Sequence, residues 1–235
     1  MKIFVTGGTG YIGSHTVVEL QKNGYDVIIA DNLVNSSLEV LDGIEKITGI
    51  RPEFEEIDLT DGEVTRDFFA RHSDIRAVIH FAALKAVGES VSKPLEYYFN
   101  NLNSLMNVLT CMREFKVPNL VFSSSCTVYG QADVLPVTEK TPRHEAESPY
   151  GNTKVMSEDI IRDLMRVEPD MKALALRYFN PIGAHPTAFI GELPNGVPNN
   201  LIPYLTQTAI GIREQLSVFG DDYNTPDGSP LRDYI

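Results

Sequence analysis

The chain has 235 residues, enough for one large domain or one and a half ordinary ones, with the composition of a folded globular protein. Its 20 Lys and Arg against 32 Asp and Glu give a net charge of −12, which argues against a nucleic-acid partner, whose phosphates need a basic face. No apolar run reaches the ~20 residues of a membrane span, the two cysteines read as free thiols in a reducing cytoplasm, and the histidines lack metal-ligand spacing.

The predicted elements alternate in kind. KIFVTG opens as a strand, and a helix is expected from about Tyr11 to Asn23, stopped at Gly24. YDVIIAD, PEFEEIDL, RAVIHFAA, NLVFSSS and KALALRYF read as further buried strands, with helical patterns between most of them. Thr60 followed by Glu63 predicts a capped helix start, and a long helix is expected before Val117-Pro118. This alternation implies an α/β fold, a Rossmann-like doubly wound parallel sheet with helices on both faces. After Asn180 the rhythm fades, and seven of the 14 prolines fall in the last 55 residues. The expected division is a dinucleotide-binding domain over 1–180 and part of a smaller substrate-binding lobe over 181–235. The chain stops at RDYI, inside what reads as a new strand, so a C-terminal truncation is expected.

Between the first strand and the first helix lies GGTGYIG, residues 7–13. Gly8, Gly10 and Gly13 fit G-x-G-x-x-G, and Gly7, Gly10 and Gly13 fit G-x-x-G-x-x-G. Glycines let the backbone approach a pyrophosphate, and a helix N-terminus points free N–H groups at the anion. A tight turn without a ligand uses the same residues. Asp31 ends the second strand, 18 residues past Gly13, near the spacing of an acid that accepts from ribose hydroxyls and repels a 2′-phosphate. That points to NAD rather than NADP; the plainer alternative is a cap on the turn into Asn32. Asp58 ends the third strand in the same way and either accepts from an adenine amine or caps the next helix.

ESPYGNTK places Tyr150 and Lys154 at i and i+4, behind the helix-starting pair Ser148-Pro149. With ten tyrosines in the chain such a pair also arises by chance, as an exposed helix pair. Ser123, Ser124 and Ser125 end the preceding strand, where ligands of open α/β sheets bind. Ser125, nearest the end, is the candidate to hold a substrate hydroxyl; the other two are expected only to satisfy backbone groups as the strand ends. Half-ionising a tyrosine at pH 7 takes a shift of about 3 pH units, or about 4 kcal/mol. An ammonium ~4 Å away supplies only about 1 kcal/mol in bulk water. Tyr150 and Lys154 are therefore expected to face an enclosed site shared with a cationic nicotinamide, not solvent.

Together these motifs resemble the extended short-chain dehydrogenase/reductase family. The stretches VTGGTGYIGSHT, HFAALKAVGES, FSSSCTVYG, SPYGNTK, LRYFNPIGAH, PNNLIPY and LRDYI are similar to the UDP-glucose 4-epimerase branch, along the whole chain. The resemblance implies NAD bound by Gly7, Gly10, Tyr11, Ile12, Gly13, Asp31, Asn32, Leu33, Asn35 and Ser36, with Asp58 and Leu59 flanking the adenine. It implies that Phe81, Ala82, Ala83, Leu84, Lys85 and Asn100 line the cofactor, Lys85 also reaching the substrate. Ser125 would hold the sugar 4-position, Tyr150 would be the acid/base, and Lys154 would bind the nicotinamide ribose and lower the tyrosine pKa. Tyr178 and Phe179 would border the nicotinamide. Phe179, Asn180, Asn200, Leu201, Ser217, Val218, Phe219 and Arg232 would contact the UDP-sugar, Arg232 at its diphosphate. No metal is implied. The implied activity interconverts UDP-galactose and UDP-glucose by transient oxidation at C4. The implied partner is a second copy, joined through the helices ending near Lys116 and carrying Lys154. Two alternatives remain: a chain that binds NAD without catalysis, and a 4,6-dehydratase. Dehydratases typically carry an Asp-Glu pair where Cys126-Thr127 stands, and Cys126 itself replaces a common alanine.

Overall fold

The computed structural model describes residues 1–235. Six parallel strands form one sheet: β1 (Lys2–Thr6), β2 (Asp26–Asp31), β3 (Glu53–Glu56), β4 (Ile75–His80), β5 (Asn119–Ser123) and β6 (Lys172–Leu176). Their order is β3-β2-β1-β4-β5-β6, so the winding reverses between β1 and β4. In such a sheet the crevice beyond the carboxyl ends at the reversal point receives ligands. The helices are α1 (Tyr11–Lys22), α2 (Glu39–Thr48), α3 (Gly62–Arg71), α4 (Val87–Ser92), α5 (Pro94–Glu114), α6 (Pro149–Val167) and α7 (Leu201–Ala209), with a 3-10 turn at Cys126–Tyr129.

Strand alternation divides the core between the two faces of the sheet. Phe4 and Ile28 pack on one face with Phe68 and Phe69 of α3, Leu105 and Met112 of α5 and Ile161 of α6. Val5 and Ile29 pack on the other with Val17 and Val18 of α1 and Leu41 and Ile44 of α2. The rings of Phe4 and Phe68 lie 4.5 Å apart, and Phe69 meets Phe4 edge-on. The doubly wound sheet expected from the sequence is therefore the observed fold.

Three local readings change. The helix after β3 is capped by Asp61, whose carboxylate accepts from the N–H groups of Glu63 and Val64, and not by Thr60. Thr60 is already engaged, giving its N–H and hydroxyl to Asp58 at 2.9 and 2.8 Å. KALAL, read as buried, is an edge strand with Leu174 58% and Leu176 38% exposed, because only β5 pairs with it. The strand read at RDYI is a single parallel bridge of Tyr234 to Asn180.

The chain after β6 turns back onto the sheet domain. Ile190 is buried in the same cluster as Leu41 and Ile44. A Cβ on Gly43 of α2 would come within 2.4 Å of the Phe189 carbonyl oxygen, so glycine is what lets this segment approach the helix. No helix is long and apolar enough to cross a membrane.

Candidate active site

A cleft of about 980 Å³ opens over the carboxyl ends of the strands. Its floor is the glycine turn. Gly7 sits at φ +65°, and Gly10 donates its N–H to the Gly7 carbonyl at 3.1 Å. A Cβ on Gly13 would lie 2.2 Å from that same carbonyl, and one on Gly7 would lie 2.8 Å from the Ala82 nitrogen. Turn, first helical turn and β4 exit thus meet backbone to backbone, as a cradle for a pyrophosphate requires. Gly10 is the N-cap of α1 and offers no side-chain cap. The first-turn N–H groups of α1 are left for a ligand, and Tyr11, Ile12 and Gly13 line the cleft.

For Asp31 the plainer of its two readings is seen directly. Its carboxylate accepts from the Leu33 N–H at 3.0 Å and the Thr9 N–H at 3.3 Å, so it does brace the turn. The Ser36 hydroxyl adds a third contact at 3.2 Å, and Thr9 and Ser36 meet at 2.7 Å. The same residue lines the cleft. Asp58 forms a turn with Thr60 rather than capping α3 directly, and it too lines the cleft.

At the other end of the cleft, Ser148 caps α6 by accepting the Gly151 N–H at 3.1 Å. This start places Tyr150 and Lys154 on the face turned to β5. Lys154 is 4% exposed; its Nζ donates to the Ser123 carbonyl at 2.7 Å and lies 5.7 Å from the Tyr150 ring centre. Burial pushes the Lys154 ammonium down to about 8. Burial pushes the Tyr150 phenol up, Tyr178 adds to the rise, and a hydrogen bond with Ser125 opposes it. Burial therefore disfavours the charged form of both groups, yet an ammonium titrating near 8 stays mostly protonated at pH 7 while the phenol stays neutral. His80 beneath them is pushed down to about 3 by burial and by Lys154, so it is neutral; its Nδ1 lies 2.9 Å from the Thr6 hydroxyl. Thr127 Oγ1, on the cleft wall, is buried without a hydrogen-bond partner. Such an atom is what a polar ligand satisfies.

The geometry describes a dinucleotide cradle joined to a tyrosine-lysine pair, and comparison with known proteins agrees. The model of the NAD dependent epimerase/dehydratase family matches residues 3–235.

The chain belongs to this family.

Among curated relatives, the UDP-glucose 4-epimerase of Bacillus subtilis (strain 168) is 54% identical over 235 residues, 100% of this chain and 69% of that protein. The Dictyostelium discoideum UDP-glucose 4-epimerase is 53% identical over 234 residues, again 100% of this chain and 67% of that one. Among solved structures, the UDP-glucose 4-epimerase from Bifidobacterium longum in complex with NAD+ and UDP superposes with a TM-score of 0.97 at 47% identity. The match covers 100% of this chain and 70% of that one. The Stenotrophomonas maltophila UDP-glucose 4-epimerase, with bound NAD and formylated UDP-arabinopyranose, gives 0.94 at 48% identity, covering 100% and 69%.

In this family member nearly all the residues expected at the site do line one cleft, from Gly7 to Arg232. Two stand outside the lining. Leu33 turns away at φ 57° and contributes its N–H to Asp31, and Val218 is 79% exposed. Three residues were not singled out in advance. Thr9 fixes Asp31. Asn101 clasps the 84–85 loop, accepting the Leu84 N–H at 2.8 Å, donating to the Leu84 carbonyl at 3.0 Å and to Thr153 of α6 at 3.1 Å. Glu192 crosses the cleft to Lys85 at 3.3 Å and accepts from the Asn200 side chain. Each has a partner at least 22 residues away, which no local pattern reports.

Proposed function

We propose that this chain interconverts UDP-galactose and UDP-glucose by inverting the sugar at C4 while NAD stays bound. The observation that carries the reading is the meeting, in one cleft, of the uncapped glycine turn of α1 with Ser125, Tyr150 and Lys154. The residues fit the cofactor: the backbone cradle at Gly7 and Gly13 has no room for side chains, and Asp31 lines the same cleft, where its carboxylate would accept from the ribose. NAD, when bound, supplies a reversible hydride acceptor for the sugar C4.

The chain's own residues do the rest. Ser125 holds the 4-hydroxyl, and Tyr150 Oη accepts its proton as C4 is oxidised to a ketone. Lys154, with the positive charge of the oxidised cofactor, favours the phenolate that burial otherwise disfavours. The ketone turns its other face within the cleft, and Tyr150 returns the proton to the oxygen as C4 is reduced. Lys85, Asn180, Asn200, Ser217, Phe219 and Arg232 hold the nucleotide through this turn, so that the ketone is not lost. A 4,6-dehydration needs a further acid and base beside the serine, and Cys126 and Thr127 supply none: burial pushes the Cys126 thiol up.

Two copies pair through α5 and α6 in this reading. Leu95, Phe99 and Met106 of α5 are 79%, 64% and 43% exposed and share one side of that helix. The free thiols Cys111 and Cys126 fit a reducing cytoplasm.

The test is to supply the NAD-loaded chain with UDP-galactose and follow UDP-glucose by a coupled UDP-glucose dehydrogenase. UDP-glucose is expected, with no dehydrated keto product. A keto product, or no turnover by NAD-loaded protein, contradicts the proposal.

A further inference from the structure

Behind the cleft, outside its lining, Glu158 of α6 is buried, its side chain 8% exposed. Its Oε1 accepts from the Ser124 hydroxyl at 2.6 Å and from Arg177 Nε at 2.8 Å. Its Oε2 accepts from Arg177 Nη2 at 2.6 Å, with Arg143 3.6 Å away. Arg143 in turn pairs with Asp159 at 2.7 Å. Burial alone pushes the Glu158 carboxyl up, but Arg177 and Ser124 hold it below the usual carboxylate range.

Each partner neighbours a working residue. Ser124 lies between Ser123, whose carbonyl holds Lys154, and Ser125, which faces the substrate. Arg177 precedes Tyr178, whose carbonyl accepts the Cys126 N–H at 3.1 Å and whose hydroxyl bonds to Ser123. Glu158 itself is one helical turn beyond Lys154 and two beyond Tyr150, on the same face. One carboxylate therefore ties together the ends of β5 and β6 and the reactive face of α6.

We propose that Glu158 is a positioning residue for proton transfer: its carboxylate keeps Ser125 in register with the Tyr150–Lys154 face of α6. The kinetic part of this proposal rests on the function proposed above. The groups that face Tyr150 are Lys154, Ser125, Cys126, Tyr97 and Tyr178, and His80 faces Lys154.

Glu158→Gln tests it, because it keeps the shape but sets an amide NH2 against Arg177 Nη2. In NAD-loaded protein, the Tyr150 phenolate is titrated by ultraviolet difference, with Tyr150→Phe as the blank, and epimerisation is measured alongside. The phenolate midpoint is expected to rise by about half a pH unit or more, as Lys154 and Tyr150 drift apart. kcat is expected to fall about tenfold with KM within about twofold. Ser124→Ala, which deletes one hydroxyl, is expected to move both in the same direction by less. A lower Tm with midpoint and kcat unchanged overturns the proposal, leaving a purely structural role. A midpoint that falls also overturns it, since loss of a negative charge acting through space lowers a phenol pKa. If Glu158→Gln does not fold, Ser124→Ala decides, and an unmoved midpoint and kcat overturn the proposal. If wild-type protein does not epimerise, the proposed function fails, and the titration still decides whether Glu158 positions Tyr150.

Discussion

Lys154 lies under the ring of Tyr150: Nζ is 5.7 Å from the ring centre and donates to Ser123, and no hydrogen bond joins the two side chains. The lysine thus acts on the phenol through its field. With burial pushing the phenol up and the ammonium down to about 8, that field alone does not make a base. In the proposed mechanism the missing positive charge comes from the oxidised cofactor.

Loading with NAD+ is therefore expected to lower the pH at which Tyr150 ionises. In the bare chain the phenol titrates above its ordinary range, since burial disfavours the phenolate. Addition of NAD+ at pH 8 is expected to raise phenolate absorbance in wild type and not in Tyr150→Phe. Equal absorbance in the two proteins would show that the cofactor does not tune Tyr150.

The same burial gives Lys154 a measurable signature in stability. Its pKa is about 8 folded against 10.5 unfolded, so between these values the unfolded chain binds more protons and stability rises with pH. The contribution is full above 10.5 and is lost as pH falls through about 8. It amounts to something on the order of 3 kcal/mol. Without NAD, the stability of wild type relative to Lys154→Met is expected to increase from pH 8 to pH 10.5 in denaturant titrations. A constant difference would mean that Lys154 stays fully charged in the fold.

The glycines of the turn are unequal. A Cβ at Gly13 meets the Gly7 carbonyl at 2.2 Å, backbone against backbone, whereas one at Gly10 meets it at 3.2 Å. Gly13→Ala is expected to destabilise by about 2–3 kcal/mol and to abolish NAD binding. Gly10→Ala is expected to keep more of both. Equal losses in thermal melts and NAD titrations would argue against this cradle.

Asp31 is expected to set the choice of dinucleotide. Asp31→Ala removes the carboxylate that takes the Thr9 and Leu33 N–H groups. NAD affinity should fall about tenfold, ~1.4 kcal/mol, and the preference for NAD over NADP should narrow. An unchanged preference would place discrimination elsewhere.

Much of this was legible because the signals are local. Phe4 and Val5, Ile28 and Ile29 alternate between the faces of β1 and β2, and the glycine turn follows β1 directly. Thr60 misled because Asp58 engages its N–H and hydroxyl, leaving Asp61, one residue on, to cap the helix, and the sequence does not say which of the two neighbouring candidates takes the helix-start N–H groups. Glu192, Asn101 and Glu158 were illegible because each has a partner between 19 and 107 residues away. The exposed β6 escaped notice because an apolar run does not reveal whether a strand lies at the centre or the edge.

The most direct test is the epimerisation rate of Tyr150→Phe in protein that retains its NAD. In the proposed mechanism Tyr150 moves the proton, so kcat is expected to fall by about a thousandfold while NAD content and UDP binding stay near wild type. A Tyr150→Phe protein that turns UDP-galactose into UDP-glucose at the wild-type rate would contradict the assignment of Tyr150 as the acid/base.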